Sequence, residues 1–390
     1  MSLLRRESDT PDLYPFTRPI PGGFTLGAAV STKRAMSHSV VWGATRLRAD
    51  VVSLMPVDTY RDDRGVSIEV AKPSVLVTPS QIADGHPMTI GEWMSTSQTS
   101  LDRTGNSVGI IKAVDGLKKP SRIDLVDPDL VEFRCKGSQI VEYVIAGETV
   151  KPEYIWHERQ YTVAGIPFGL SPIASAALQL TAGLSAQQWA VNWFTNGAAP
   201  SGHLKNEKKV LAKGEAELIR AQYSATQHAG VPFVSGIDWT YTPMAAKAAE
   251  SQFLEQMHYT DTDLCRFLGV PADMLDVVTG ASGSLTYANI TQRNLQLLVM
   301  NLGGAIKRRE DALSTLLASP RFVKLNRSAV LAMDALTRAQ VQAQRITNRT
   351  MTPDEARALE DAEPLTEEQY AQFDRLWPVT RVVPTTQGGQ

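Results

Sequence analysis

Excess positive charge is missing from this sequence. Lys and Arg number 39 against 41 Asp and Glu, a formal net charge of −2 over 390 residues. A protein that grips nucleic acid draws its affinity from a basic surplus that neutralises phosphates, so the balance argues against a sequence-specific DNA binder. Cysteine is scarce as well. Cys135 and Cys265 lie far apart and in no metal-like spacing, which argues against a disulfide framework and fits a reducing compartment. Long apolar runs are absent, so no membrane span is expected. The first residues, Met1 to Asp9, place Arg5 and Arg6 before polar residues rather than an apolar stretch, so no signal peptide is expected. One absence is local: between Arg159 and Lys205 there is no Asp, Glu, Lys or Arg, although Gln, Ser, Thr, Asn and Gly are frequent. Two readings stay open, a buried core helix with its flanks or a contact surface between subunits, whose centre is depleted in charge.

Catalytic constellations are also wanting. The run Gly280-Ala-Ser-Gly-Ser-Leu-Thr has the glycines of a phosphate loop but lacks its lysine and an entering strand, and it is not a nucleophile elbow. His38, His86, His157, His203, His228 and His258 are scattered, with none at the i, i+4 spacing of a helical zinc site. His258 and Cys265 can share a helix face but have no further ligand nearby. Asp261 and Asp263 read as a solvated helix face. Ser171 and Ser282 have neither a positioned base nor an oxyanion hole in view. No enzyme activity, metal or cofactor is expected.

What is present is an ordinary globular composition, with 43% hydrophobic and 21% charged residues. The length allows two to three domain-sized units, and seven tryptophans can anchor packing. Val40, Ala44, Leu47, Val51 and Leu54 recur at helical spacing across 37–54, with Ser37 as cap and Pro56 as stop. A hairpin follows, Val57–Arg61 and Val66–Val70 around the Asp62–Gly65 turn. Residues 91–104 read as a helix closed by Gly105-Asn106, where glycine suits a left-handed cap. From 107 to 157 short apolar runs alternate with turns at Asp115-Gly116, Asp127-Pro128 and Lys136-Gly137. Ser171-Pro172 opens a long helix that ends at Asn196-Gly197. Helices over 207–228 and 248–268 flank an extended stretch around Gly236, and Gly269-Val270-Pro271 stops the second. A helical pattern over 285–318 is interrupted by Gly303-Gly304, which cost roughly 2 kcal/mol relative to alanines and mark a kink or loop. A last helical region spans 334–376, interrupted where Thr352 caps a helix begun by Pro353.

Four places in this order resemble the portal protein family of long-tailed bacteriophages of the Hong Kong 97 type, over roughly 37–370. They are Val41 to Val57, a first helix running into a Pro-strand; Asp102-Arg103-Thr104-Gly105-Asn106; Gly165 to Pro172 with Phe194-Thr195-Asn196-Gly197-Ala198; and Arg266-Phe267-Leu268-Gly269-Val270-Pro271 with Thr286-Tyr287-Ala288-Asn289. Where relatives often carry a proline in the long helix, this chain has Asn301-Leu302-Gly303-Gly304.

The resemblance implies an α+β portal fold with a mixed α/β wing, helical stem, small α/β clip and helical crown, assembled as a ring, typically of twelve. It maps residues 1–36 as a flexible N-terminal arm, 37–206 as wing, 207–230 as stem helix and 231–284 as clip. It then maps 285–300 as stem helix, 301–309 as tunnel loop or kink, 310–333 as wing helix and strand, 334–378 as crown-side helices and 379–390 as a disordered tail. It implies a channel for DNA packaging and ejection at one capsid vertex, in the virion and, during assembly, in the host cytoplasm. The implied partners are further copies of itself, the terminase large subunit, a head–tail adaptor, the major capsid protein or scaffold, and double-stranded DNA passing non-specifically. Asn301, Gly303, Gly304, Lys307, Arg308 and Arg309 are the expected channel residues, although Glu310 and Asp311 also offer Lys307, Arg308 and Arg309 surface ion pairs. Gly236, Asp238, Trp239, Gly269, Val270 and Pro271 are the expected docking residues of the clip. A shorter head–tail adaptor or, more remotely, a hydrolase are the alternatives. Near-neutral charge suits a channel that DNA must slide through.

Overall fold

The computed structural model describes residues 12–15, 31–82, 85–195, 202–206, 213–228, 239–243, 250–277, 287–327, 335–360 and 362–376. The chain divides at residue 330 into a large unit and a small C-terminal one. Among the described residues every strand pairing is antiparallel, and helices and strands alternate without a parallel crossover. The result is the expected α+β class.

The N-terminal region departs from the expected arm. Strand β1 (Asp12–Pro15) pairs with a later strand, and helix α1 (Thr32–Ala35) is capped by the Ser31 hydroxyl, which accepts from the Arg34 amide at 3.2 Å. Helix α2 (Ser39–Ser53) follows. Its cap position is His38 without a side-chain hydrogen bond, because the Ser37 hydroxyl instead donates to the Arg34 carbonyl at 2.7 Å. Val40, Val41, Ala44, Val51 and Val52 are buried, whereas Leu54, expected in the stripe, is exposed beyond the last turn. Strands β2 (Val57–Asp63) and β3 (Val66–Glu69) form the expected hairpin. Short β4 (Ser80–Gln81) and β5 (Pro87–Met88) lead into α3 (Ile90–Thr104). Thr89 caps its start, and Gly105 closes it at φ 77°, the left-handed cap the sequence calls for.

The 106–159 region is strand-rich as expected: β6 (Asn106–Val114), β7 (Pro120–Leu125), β8 (Val131–Lys136), β9 (Gln139–Ile145), β10 (Glu148–Val150) and β11 (Ile155–Arg159). They form two sheets, β1-β8-β9-β10 and β11-β6-β7. Between them the Phe133 ring stacks on Phe168 at 5.4 Å and on His157 at 5.3 Å. Trp93 of α3, fully buried, lies 4.8 Å from the Trp156 ring and donates its indole N–H to the Ile123 carbonyl at 3.1 Å.

Ser171 caps α4 (Pro172–Ser175), and a break at Ala176 separates it from α5 (Ala177–Thr195). Then come β12 (Gly202–Asn206), α6 (Lys213–His228), β13 (Trp239–Pro243) and α7 (Glu250–Leu268), with β12 paired to β13. A second core joins α2, α4, α5 and α7 through Val41, Ala44, Ile173, Leu180, Leu264 and Leu268. Helix α8 (Tyr287–Gln296) passes through a π-helical turn, Leu297–Asn301, into α9 (Gly303–Ser314). Strand β14 (Arg321–Leu325) adds to the outside of β2. The small unit holds α10 (Ala335–Thr347), α11 (Pro353–Ala358) and α12 (Glu367–Leu376). Thr352 and Glu355 form a reciprocal capping box on α11, with Pro353 at its first position. The 277–284 stretch, which the sequence reads as a flexible loop, lies outside the described residues except for Val277, and so does the tail from 379.

Two glycines set how closely α3 approaches the segment before α4. A β-carbon on Gly105 would lie 2.1 Å from the Leu170 carbonyl oxygen, and one on Gly169 would lie 2.0 Å from the Gly105 oxygen. Gly169→Ala is therefore expected to cost about 3 kcal/mol or more of stability in urea unfolding. Gly116→Ala, with open space around it, is expected to stay within about 1 kcal/mol of the parent.

Candidate functional site

The end of α3 is where the elements of the large unit are tied together. Asp102, fully buried, accepts from Arg48 Nε of α2 at 3.0 Å, from Gln98 Nε2 at 3.0 Å and from Gln160 Nε2 at 3.2 Å. Arg103 donates to Asp129 Oδ2 at 2.6 Å, and Asp129 also accepts from Thr32 Oγ1 at 2.9 Å. The Arg103 carbonyl accepts from Ser171 Oγ at 2.7 Å. Asn106 uses its side-chain amide as a fork: Nδ2 donates to the Gly169 carbonyl at 2.8 Å and Oδ1 accepts from the Gly169 amide at 2.7 Å. The same Oδ1 lies 3.0 Å from His157 Nε2, whose ring Nδ1 lies 3.0 Å from the Tyr143 hydroxyl. Burial pushes the His157 imidazole down to about 3 and the Tyr143 phenol up to about 12. The neutral ring thus donates to Asn106 and accepts from Tyr143. Two segments singled out by resemblance, 102–106 and 165–172, are in contact, and they serve architecture.

Arg309, expected beside a DNA channel, is instead part of this core. Its side chain is fully buried, ion-paired to buried Glu158 at 3.0 Å and hydrogen-bonded through Nη1 to Ser97 Oγ at 2.7 Å. Burial pushes the Glu158 carboxyl up and the Arg309 guanidinium down, and each charge is held by the other. Contact with passing phosphates is thereby excluded for Arg309. Lys307 is exposed and pairs with Asp311, one of the surface ion pairs the sequence offered. Arg308 lies 6.0 Å from the Tyr161 ring centroid. Glu310 is buried and accepts from the Leu325 amide at 3.0 Å, fixing α9 to β14.

The expected tunnel loop or kink over 301–309 is α-helical from Gly303 onward. The break comes one turn earlier, as the π turn, and Gly303 and Gly304 open α9. Half-buried Asn301 points an Oδ1 without a hydrogen-bond partner among the described residues. Of the expected docking residues, Gly236 and Asp238 lie outside the described residues and Trp239 begins β13. Gly269, at φ 66°, ends α7, and Val270 is buried in the helical core. Val270 is closed to a docking partner for that reason, and the Gly269-Val270-Pro271 turn acts as a helix stop.

Helix α5 carries both a buried and an exposed side within the uncharged stretch. Leu180 and Gly183 are buried against the core, Gly183 leaving room for the buried His38 imidazole, which sits 3.6 Å from Asp261 of α7. Beyond that contact the helix emerges: Leu178 is 59% exposed and Val191 57%. Thr181, Ala182, Ser185 and Gln188 are exposed as well. Helix α5 is therefore part core and part exposed, with no formal charge on its exposed side.

Among the described residues no cluster of His, Cys, Asp and Glu could hold a metal, and no helix is long and apolar enough to cross a membrane.

The fold resembles an HK97-family phage portal protein from Corynebacterium diphtheriae, with a TM-score of 0.61 at 17% identity over 79% of this chain and 99% of that one. It also resembles a chain of a gene transfer agent virion, with a TM-score of 0.56 at 19% identity over 86% of this chain and 94% of that one. A neck of the native gene transfer agent particle computed with C12 symmetry gives a TM-score of 0.53 at 19% identity, with the same coverage. A probable portal protein of Streptomyces phage phiC31 is 24% identical over 365 residues, 87% of this chain and 78% of that protein. The phage portal protein family model matches residues 39–361. The chain belongs to the phage portal protein family.

Removing one member of the buried Arg309–Glu158 pair strands the other charge. Arg309→Ala is expected to lose about 3–5 kcal/mol in urea unfolding. The apolar pair Arg309→Met with Glu158→Leu is expected to recover most of that loss.

Proposed function

We propose that this chain is the repeating subunit of a closed ring at one vertex of a phage capsid, the channel through which DNA is packaged and ejected. In this reading it docks the terminase large subunit and a head–tail adaptor, contacts the major capsid protein or scaffold, and catalyses no reaction. Family membership over 39–361 supports the portal role. The C12 symmetry of a similar neck supports twelve copies.

The observation that carries the ring is α5. A closed ring needs one face of each subunit to meet a different face of the next, and the middle of such a seam is poor in charge. Helix α5 offers an uncharged, outward surface. It packs against α7, and the chain between them holds β12, α6 and β13. This arrangement favours α5 and α7 as the stem pair, with the intervening α/β segment as clip, over a stem built from 207–230 and 285–300. Lys307 and Arg308, next to the π turn, remain the candidates for brief phosphate contact.

The mass of the purified protein by light scattering, with negative-stain images of the same peak, tests the ring. Twelve chains of 42.6 kDa give about 0.5 MDa and annular particles; a chain that neither closes alone nor joins its capsid partners contradicts the reading. Leu178→Glu with Val191→Glu is expected to weaken association at least tenfold, about 1.4 kcal/mol, with an unchanged circular dichroism spectrum.

Gly303 and Gly304 have room for a methyl, their nearest contacts being 3.4 Å away. Alanine at both is expected to stiffen α9 by roughly 1 kcal/mol each, leave ring mass unchanged and cut packaged genomes at least tenfold. Unimpaired packaging removes the case for a functional hinge there.

A further inference from the structure

We propose that in the assembled ring β1 of each subunit pairs with β8 of its neighbour, so that adjacent subunits exchange their N-terminal strands. The inference rests on the ring reading above.

The first observation is how β1 is attached. It pairs along β8 with Pro15 opposite Glu132 and Asp12 opposite Cys135. The chain next enters the body at Thr32, whose hydroxyl donates to Asp129 at 2.9 Å. Asp129 is only three positions from Glu132, so within one chain the connection has a short gap to close. Residues 16–30 supply about 50 Å of extended chain for it. The connection is longer than self-pairing requires.

The second observation is where β1 sits. It lies at the end of the sheet, beside β8 alone, and outside the family match that begins at residue 39. A β8 edge without it presents a row of unpaired backbone groups, which is a template for any strand at high local concentration. Backbone pairing cannot distinguish a chain's own strand from an identical one. Exchange preserves every pair seen here while converting it into a link between subunits. In a closed ring each β1 is given once and each β8 edge filled once, so no edge is left over.

Leu13 stands opposite Arg134, and Arg134 is half-exposed. The test is the double variant Leu13→Cys, Arg134→Cys, oxidised as purified rings of confirmed mass and run on a denaturing gel without reductant. The expected result is a ladder of cross-linked chains that collapses to one band on reduction, with either single variant remaining a single chain. Rings whose chains are each internally closed overturn the exchange and leave the ring reading intact. Rings that form no disulfide overturn it too, because β1 then does not occupy β8. A protein that never assembles, even with its capsid partners, overturns the ring and the exchange together.

Discussion

Five consecutive residues, Asp102 to Asn106, hold the large unit together. Asp102 reaches α2 through Arg48; Arg103 reaches Asp129 and, by its carbonyl, Ser171; Asn106 clamps the backbone of Gly169 and touches His157. Gly105 lets this happen at backbone contact distance. Helix, sheet and the start of α4 are thus positioned from one turn of chain. Because these groups are buried, each lost partner leaves a desolvated donor or acceptor rather than a solvated one. The arrangement specifies a single packing of α2, α3 and the β6 sheet, and through α9 it fixes where the long helix leaves its π turn.

The Arg48–Asp102 and Arg309–Glu158 pairs occupy one continuous polar seam, with Gln98 and Ser97 between them. Buried ion pairs of this kind give little net stability over apolar replacements, but they penalise misalignment strongly. For a subunit that must match identical neighbours around a closed circle, a reproducible shape matters more than added stability.

Much of the local structure was legible in the sequence. The Gly105 cap, the Ser171-Pro172 helix start, the β2–β3 hairpin and the Gly269-Val270-Pro271 stop follow from backbone preferences that act within a few residues. What depends on distant pairing was not. Nothing near Arg321–Leu325 announces that it lies along β2, and nothing in Asp12–Pro15 announces β8. Arg309 sits in a run of basic residues that looks solvated, yet it has a buried carboxylate 151 positions away in the chain. Arg48 carried a readable signal, since it falls in phase with Val41, Ala44 and Val52 on the buried side of α2. An arginine in a core phase calls for a buried acid, and Asp102 answers it. Composition is the same for a core helix and a seam, so the uncharged stretch left both readings open; only exposure separates them. The double glycine marks the end of the break, where α9 begins, but not its π-helical form, since a π turn needs no special residue.

In the proposed ring, a seam made by α5 has a consequence for the particle's surroundings. Contacts without formal charges carry no ion atmosphere, so dissolved salt neither screens nor strengthens them by that route. Cohesion between copies would then be indifferent to ionic strength, while any fleeting touch between Lys307 or Arg308 and passing phosphates would fade as salt rises. In that reading charge screening leaves the seam untouched, while the friction on the cargo is set by the solution.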